Sequence, residues 1–154
     1  MKLVEDFRLR SEFLQRMTVD FVNGVPAEHW DFSPHPRFAP FSKQLRHVVC
    51  VRGAYNDALR TKSADFSKKH AQYTGGLTRP ELLAALGEKL NDLMLVLDSI
   101  DTDIPIDMLG RPFSFADFTY TMVQHEALHH GEWSLYASLA GFETPLSWRL
   151  EWGL

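Results

Sequence analysis

Apolar residues fall at helical spacing through four stretches of the chain. In the first, about residues 2–22, Leu3, Phe7, Leu14, Met17 and Phe21 recur on one side, with Glu5, Arg8, Glu12 and Arg16 between them. That is an amphipathic helix, and Asn23-Gly24 and Pro26 stop it. The second stretch opens near Ser42, a candidate N-cap, and runs to about Thr61, with Leu45, Val48, Val49, Arg52, Tyr55 and Leu59 tracing its faces. The third has the clearest start signal. Thr78-Arg79-Pro80-Glu81 combines an N-cap threonine, an early proline and a glutamate at the capping-box position. Leu82, Leu83, Leu86, Leu90, Leu93, Met94 and Leu97 follow, to about Ile100. The fourth begins at Ser114, repeats the capping pattern with Asp117 and ends near Ala140, where Gly141 suits a left-handed C′ position.

The connections are longer than minimal helix–helix turns. Pro34, Pro36 and Pro40 forbid a long regular element before the second helix, and Trp30, Phe32, Phe38 and Phe41 predict that this loop packs across a bundle end. Residues 101–113 are extended, with room for a short hairpin and nothing larger. The tail carries Trp148 and Trp152, so it is expected to dock rather than hang free. Helices of this length span roughly 30–40 Å at about 1.5 Å per residue. The expected fold is therefore all-α, a four-helix bundle forming one domain over residues 1–154. No internal repeat points to a solenoid.

Composition narrows the function. Apolar residues make up 45% and charged residues 23%, with a net charge of −4 and no basic block, which disfavours a nucleic-acid partner. Cys50 is the single cysteine, so no intrachain disulfide forms. The charged start "MKLVEDFRLRSEF" is not a signal peptide, and no stretch reaches the ~20 apolar residues of a membrane span. A cytoplasmic protein without a membrane partner is expected.

The chemistry concentrates in "QHEALHHGEW", residues 124–133. His125 and His129 are one turn apart on a stripe with Phe118, Met122, Trp133, Tyr136 and Ala140, so both imidazoles point toward the core. Buried imidazoles need partners, either a metal ion or hydrogen bonds to carboxylates and carbonyls. His47, early in the second helix, is the best third ligand. Cys50 stands one turn on and reads as a small buried hydrophobe. His29, His35 and His70 read as surface residues, and His130 as a flank or surface residue.

His125-Glu126-Ala127-Leu128-His129 also reads as H-E-x-x-H, with Glu126 as the general base of a zinc peptidase. The extended pattern fails, because Gly131 is one place early and Leu135 stands where a third histidine should be. Glu126 is expected instead on the helix flank, paired with an arginine. Glu132 is the catalytic candidate: it could orient a ligand or act as a base. Arg52, Tyr55 and Tyr136 read as core or interface residues that could line a pocket.

"LRHVV" opening the second helix, then "HEALHHGEW" and "SLYASLAGFETP", resemble the DinB/YfiT-like superfamily over nearly the whole chain. In that family His47, His125 and His129 match the three metal ligands, and a short x-G-Q run follows the last. Here the run is His130-Gly131-Glu132, a glutamate in place of glutamine. The resemblance implies an up-down-down-up bundle, frequent homodimers and a divalent metal, zinc or nickel foremost, with iron, manganese or copper also suited. Some relatives are transferases or isomerases that use a low-molecular-weight thiol. The expectation is a metal-dependent enzyme acting on a small molecule. A dimeric scaffold with structural or no metal, and an H-E-x-x-H peptidase, are the alternatives. Trp30, Phe38 and Trp148 are the aromatics expected to shape a substrate pocket.

Overall fold

Each apolar stripe becomes a helix buried on that stripe in the computed structural model, which describes residues 2–154. Helix α1, Lys2–Gly24, buries Phe7, Leu14, Met17 and Phe21, as its spacing predicts, and also Ser11 and Thr18. Helix α2, Phe41–Thr61, starts one residue before the expected cap. Pro40 takes the N-cap place, and Ser42 lies buried in the first turn with its hydroxyl on the Asp31 carboxylate across the loop. Helix α3, Arg79–Asp98, closes its capping box in both directions and ends two residues short of the predicted Ile100. Helix α4, Phe115–Ala140, begins with the Ser114 hydroxyl accepting from the Asp117 N–H at 3.1 Å. Gly141 ends it at φ +82°, a left-handed conformation that favours glycine.

The extended connection holds the expected hairpin. Strands β2, Ile106–Met108, and β3, Arg111–Phe113, pair antiparallel with Ile106 opposite Phe113. Strand β1, Ser63–Ala64, adds in parallel with Ser63 opposite Asp107, which the sequence did not signal. This small sheet gathers the C-terminal ends of α2 and α3 and the N-terminal end of α4 at one end of the molecule. Arg8, near the start of α1, reaches the same end and meets Asp98 at 2.6 Å.

Helices α1 and α2 each pack against both α3 and α4. Two apolar clusters result. One holds Phe21, Phe41, Leu45, Leu82, Leu86, Trp133 and Trp148. The other holds Phe7, Tyr55, Leu59, Leu93, Leu97, Phe115 and Phe118 at the sheet end. Between them, along every long helix, lies a layer of polar positions: Ser11 and Thr18 on α1, His47 and Arg52 on α2, Lys89 on α3, and His125, Glu126, His129 and His130 on α4. Among the described residues no helix is long and apolar enough to cross a membrane.

The tail docks as expected, through a short helix α5, Leu146–Trp152, that has too few residues to show a periodicity. Trp148 lies beneath a shallow surface pocket with His130, Ser134 and Trp152. It is fully buried, its ring lies 4.6 Å from that of Phe21, and its indole N–H donates to the Met17 carbonyl at 2.7 Å. Trp30 likewise closes the loop, donating to the Leu77 carbonyl at 2.7 Å with Arg79 over its ring, whereas Phe38 is exposed.

Trp148→Ala is expected to lower the unfolding free energy by about 3–5 kcal/mol, the usual cost of deleting a buried aromatic. Trp148→Phe, which keeps the ring contact and loses the hydrogen bond, should cost about 1–2 kcal/mol. Urea denaturation of the two variants checks the order.

Candidate metal centre

Three imidazoles meet in the seam between α2 and α4. His47 comes from the second turn of α2, and His125 and His129 from successive turns of α4. One ring nitrogen from each lies within 4.8 Å of the other two. The Nε2 atoms of His47 and His125 are 3.3 Å apart. Two nitrogens held about 2.0–2.1 Å from an ion at a tetrahedral angle stand about 3.3 Å apart. A direct N–H···N hydrogen bond prefers about 2.9–3.0 Å. The spacing fits two nitrogens that share a cation, and equally a long hydrogen bond between the rings.

The protonation state agrees. Burial, then the neighbouring His129, Lys69 and His70, push His47 down to about 4. Burial, then His129 and His47, push His125 down to about 4. Both are neutral at pH 7, with lone pairs available to a metal. Nδ1 of His129 meets the Glu132 carboxylate at 2.8 Å. A carboxylate only accepts, so Nδ1 carries a proton and Nε2 is the nitrogen left for a metal. Glu132 thus holds the ring of His129 in one orientation.

Glu126 pairs with an arginine, as expected, but inside the protein rather than on a flank. Arg52 grips it with two hydrogen bonds, Nε to Oε2 at 2.9 Å and a second to Oε1, and extends a third to Gln15. The Thr18 hydroxyl donates to Glu126 Oε1 at 2.7 Å. Burial raises the carboxyl's pKa, yet the Arg52 charge and hydrogen bonds win and hold it at about 2. So weak a base, with its oxygens occupied, is poorly suited to activating water, which removes the physical basis of the peptidase reading.

His130 departs from expectation. It is 3% exposed, not a surface residue, and its Nε2 lies 2.8 Å from the Thr18 hydroxyl. Thr18 has one proton and gives it to Glu126, so His130 Nε2–H is the donor in that contact. Its Nδ1 is a buried acceptor without a hydrogen-bond partner. The ring is packed beside Trp148, centroids 4.8 Å apart. Phase on α4 alone could not show this, because α1 and α5 bury that side. The polar positions Ser11 and Thr18 on an otherwise apolar face of α1 were the available signal.

The remaining candidates separate clearly. Cys50 is buried and is not part of the histidine group; its thiol points to the Tyr73 carbonyl at 4.0 Å. His35 and His70 are exposed, while His29 is half-buried and stacks on Phe142. The Tyr136 hydroxyl donates to the Ala39 carbonyl and accepts from Gln44. Behind the histidines is a cavity of about 40 Å³ lined by Arg52, Tyr55, Asn56, His125 and Glu126. Ligand pockets run to about 300–1,000 Å³, so this cavity is too small for a substrate.

Helical architecture and a histidine set shared between two helices define a class that comparison with known proteins identifies. The DinB superfamily profile matches residues 11–133, and the chain belongs to that superfamily. Among solved structures, the crystal structure of the DinB-like protein YjoA from Bacillus subtilis has the same fold, with a TM-score of 0.66. That match covers 95% of this chain and 96% of the other at 16% identity, a likeness of fold alone. No curated protein matches the chain.

Acid should destabilise the metal-free protein in a defined window. Burial pushes His130 from 6.5 down to about 4 in the fold. The unfolded chain therefore binds the proton more readily, and this stability, fully present above pH 6.5, is lost as pH falls toward 4. The contribution is on the order of 3 kcal/mol. Urea midpoints measured from neutral pH down through this window should fall with acidity, and less steeply in His130→Gln.

Proposed function

We propose that this protein is a metal-dependent enzyme that acts on a small molecule at a divalent ion held by His47, His125 and His129. The observation that carries the reading is the convergence of three ring nitrogens, two of them at an ion-sharing distance, with no fourth side chain in the group among the described residues. Structural metal sites are closed by four protein ligands, whereas catalytic sites keep a position open. A dimeric scaffold would have no need of such an opening. Zinc or nickel suits three imidazoles best, with iron, manganese or copper as further candidates.

A divalent ion there supplies Lewis acidity, easing loss of a proton from a substrate oxygen or sulfur. The chain's own residues do the rest. His47 and His125 are kept neutral by burial, so they bind without first releasing a proton. Glu132 holds the Nδ1 proton of His129 and turns Nε2 inward. Arg52 holds Glu126 and anchors the turn of α4 that carries His125. A low-molecular-weight thiol is the substrate type this reading favours, since a soft sulfur ligand gains most from such an ion.

The up-down-down-up order belongs to the same reading. Its support is the sheet that gathers the ends of α2 and α3 with the start of α4, and the Arg8–Asp98 pair that brings the start of α1 there. A homodimer belongs to it too. Leu128, Leu135 and Leu139 form one exposed apolar line on α4, a face that suits a second copy.

Metal analysis of untagged protein by mass spectrometry is the direct test. About one ion per chain is expected from a single site, with loss in His47→Ala and in His125→Ala and retention in Cys50→Ala. Retention in His47→Ala, or no metal after reconstitution, would overturn the reading. Sedimentation velocity should show a dimer, shifted toward monomer by Leu135→Glu.

A further inference from the structure

The outer side of the histidine seam is bordered by a short 3-10 segment, Phe66–Gln72, that the sequence did not announce. It is held firmly. Asp65 caps it by accepting from the Ser67 N–H at 2.9 Å. Gln72 lies against α2 where residue 53 is glycine; a Cβ there would sit 2.6 Å from the Gln72 Oε1. Gln72 also donates to Asp57 at 2.5 Å, and the next residue, Tyr73, accepts from Arg46 at 3.3 Å. Phe66 packs edge-on against Tyr55, whose ring stands 6.0 Å from that of His125. The segment is thereby tied to the metal centre through one aromatic contact.

This anchoring presents Lys69 in a specific setting. The side chain is half-buried, while its neighbours Lys68 and His70 are exposed. Among the described residues it has no ion-pair partner. Its segment runs along α2 from Tyr55, which Phe66 touches, to Arg46, which donates to the Tyr73 carbonyl, and so passes the turn that carries His47; the Lys69 charge adds to the lowering of the His47 and His125 pKa values. The two carboxylates nearest the site are already engaged, Glu126 by Arg52 and Glu132 by His129. An unpaired ammonium beside a site meant for a cation opposes loading of that cation, so it calls for a compensating anion. The Arg46 guanidinium is turned to the Tyr73 carbonyl, which leaves a single ammonium and suits a single negative charge.

Building on the metal-site reading above, we propose that Lys69 is the substrate-recognition residue. The site takes a small molecule with a carboxylate, which pairs with the Lys69 ammonium while its other polar end faces the three imidazoles. Recognition then comes from the bordering segment, and reactivity from the histidine seam.

The test uses full-length protein loaded with Co²⁺, whose absorption gains a charge-transfer band when sulfur binds. Titrations with mercaptopropionate, an anion, and mercaptoethanol, its neutral counterpart, report affinity directly. Wild-type protein and Lys68→Ala are expected to prefer the anionic thiol about tenfold, as one charge-assisted contact provides. High salt should weaken the preference. Lys69→Ala should lose the preference while loading cobalt at least as readily as the wild type and still binding mercaptoethanol, and Lys69→Arg should keep the preference. Cobalt bound normally, with no preference in the wild type or with the preference intact in Lys69→Ala, overturns this proposal alone. Failure to bind cobalt overturns the metal reading on which it rests.

Discussion

The Glu126 carboxylate lies inside the protein, its side chain 8% exposed, against an Arg52 side chain only 14% exposed. Removing two charges from water costs several kcal/mol per ion, and the pair recovers that only if its geometry is good and its other hydrogen-bonding atoms are satisfied. Here both oxygens of Glu126 face the guanidinium, Thr18 adds a donor, and Gln15 takes a further N–H of Arg52. An apolar pair of similar volume would stabilise the fold about as well. What the ion pair adds is register. Arg52 stands little more than one turn beyond His47, and Glu126 is next to His125, so the bond that locks α2 to α4 also sets the height at which the histidines meet.

That lock explains where the site can be. The two apolar clusters pack the ends of the helices, and the middle layer is left to groups that must satisfy one another. Each buried polar atom there is compensated locally, with the Nδ1 of His130 as the exception. At the seam of α2 and α4 the imidazoles are half-buried rather than enclosed. Burial keeps His47 and His125 neutral, and partial exposure keeps them reachable. Those demands conflict in a fully buried site and in a fully exposed one.

Much of this was legible in the chain. The start of α3 was readable because a capping box is a local contact, closed within four residues. The ends of α4 were readable for the same reason, as was the hairpin between α3 and α4. The pairing of His125 with His129 follows from helix geometry alone. The start of α2 was misplaced because Ser42 spends its hydroxyl on Asp31, a contact made across the loop. The segment Phe66–Gln72, strand β1 and helix α5 escaped notice because each is too short to carry a period, and packing against α2, β2 or α1 stabilises it.

The sequence by itself determined the long helices, their buried faces and the family to which the chain belongs, since these depend on residues near one another along the chain. It also named His47, from its place early in α2 and from the family likeness; no spacing connects a residue of α2 to a pair on α4. Tertiary structure alone decided that Glu126 is a buried counter-ion rather than a flank residue, that His130 is core, and that Glu132 serves His129. The helix phase of Glu126 and His130 is the same whatever packs against it. Whether that face meets water, an arginine or a tryptophan depends on α1, α2 and α5, which arrive from more than seventy residues away in the case of Arg52 and more than one hundred in the case of Thr18.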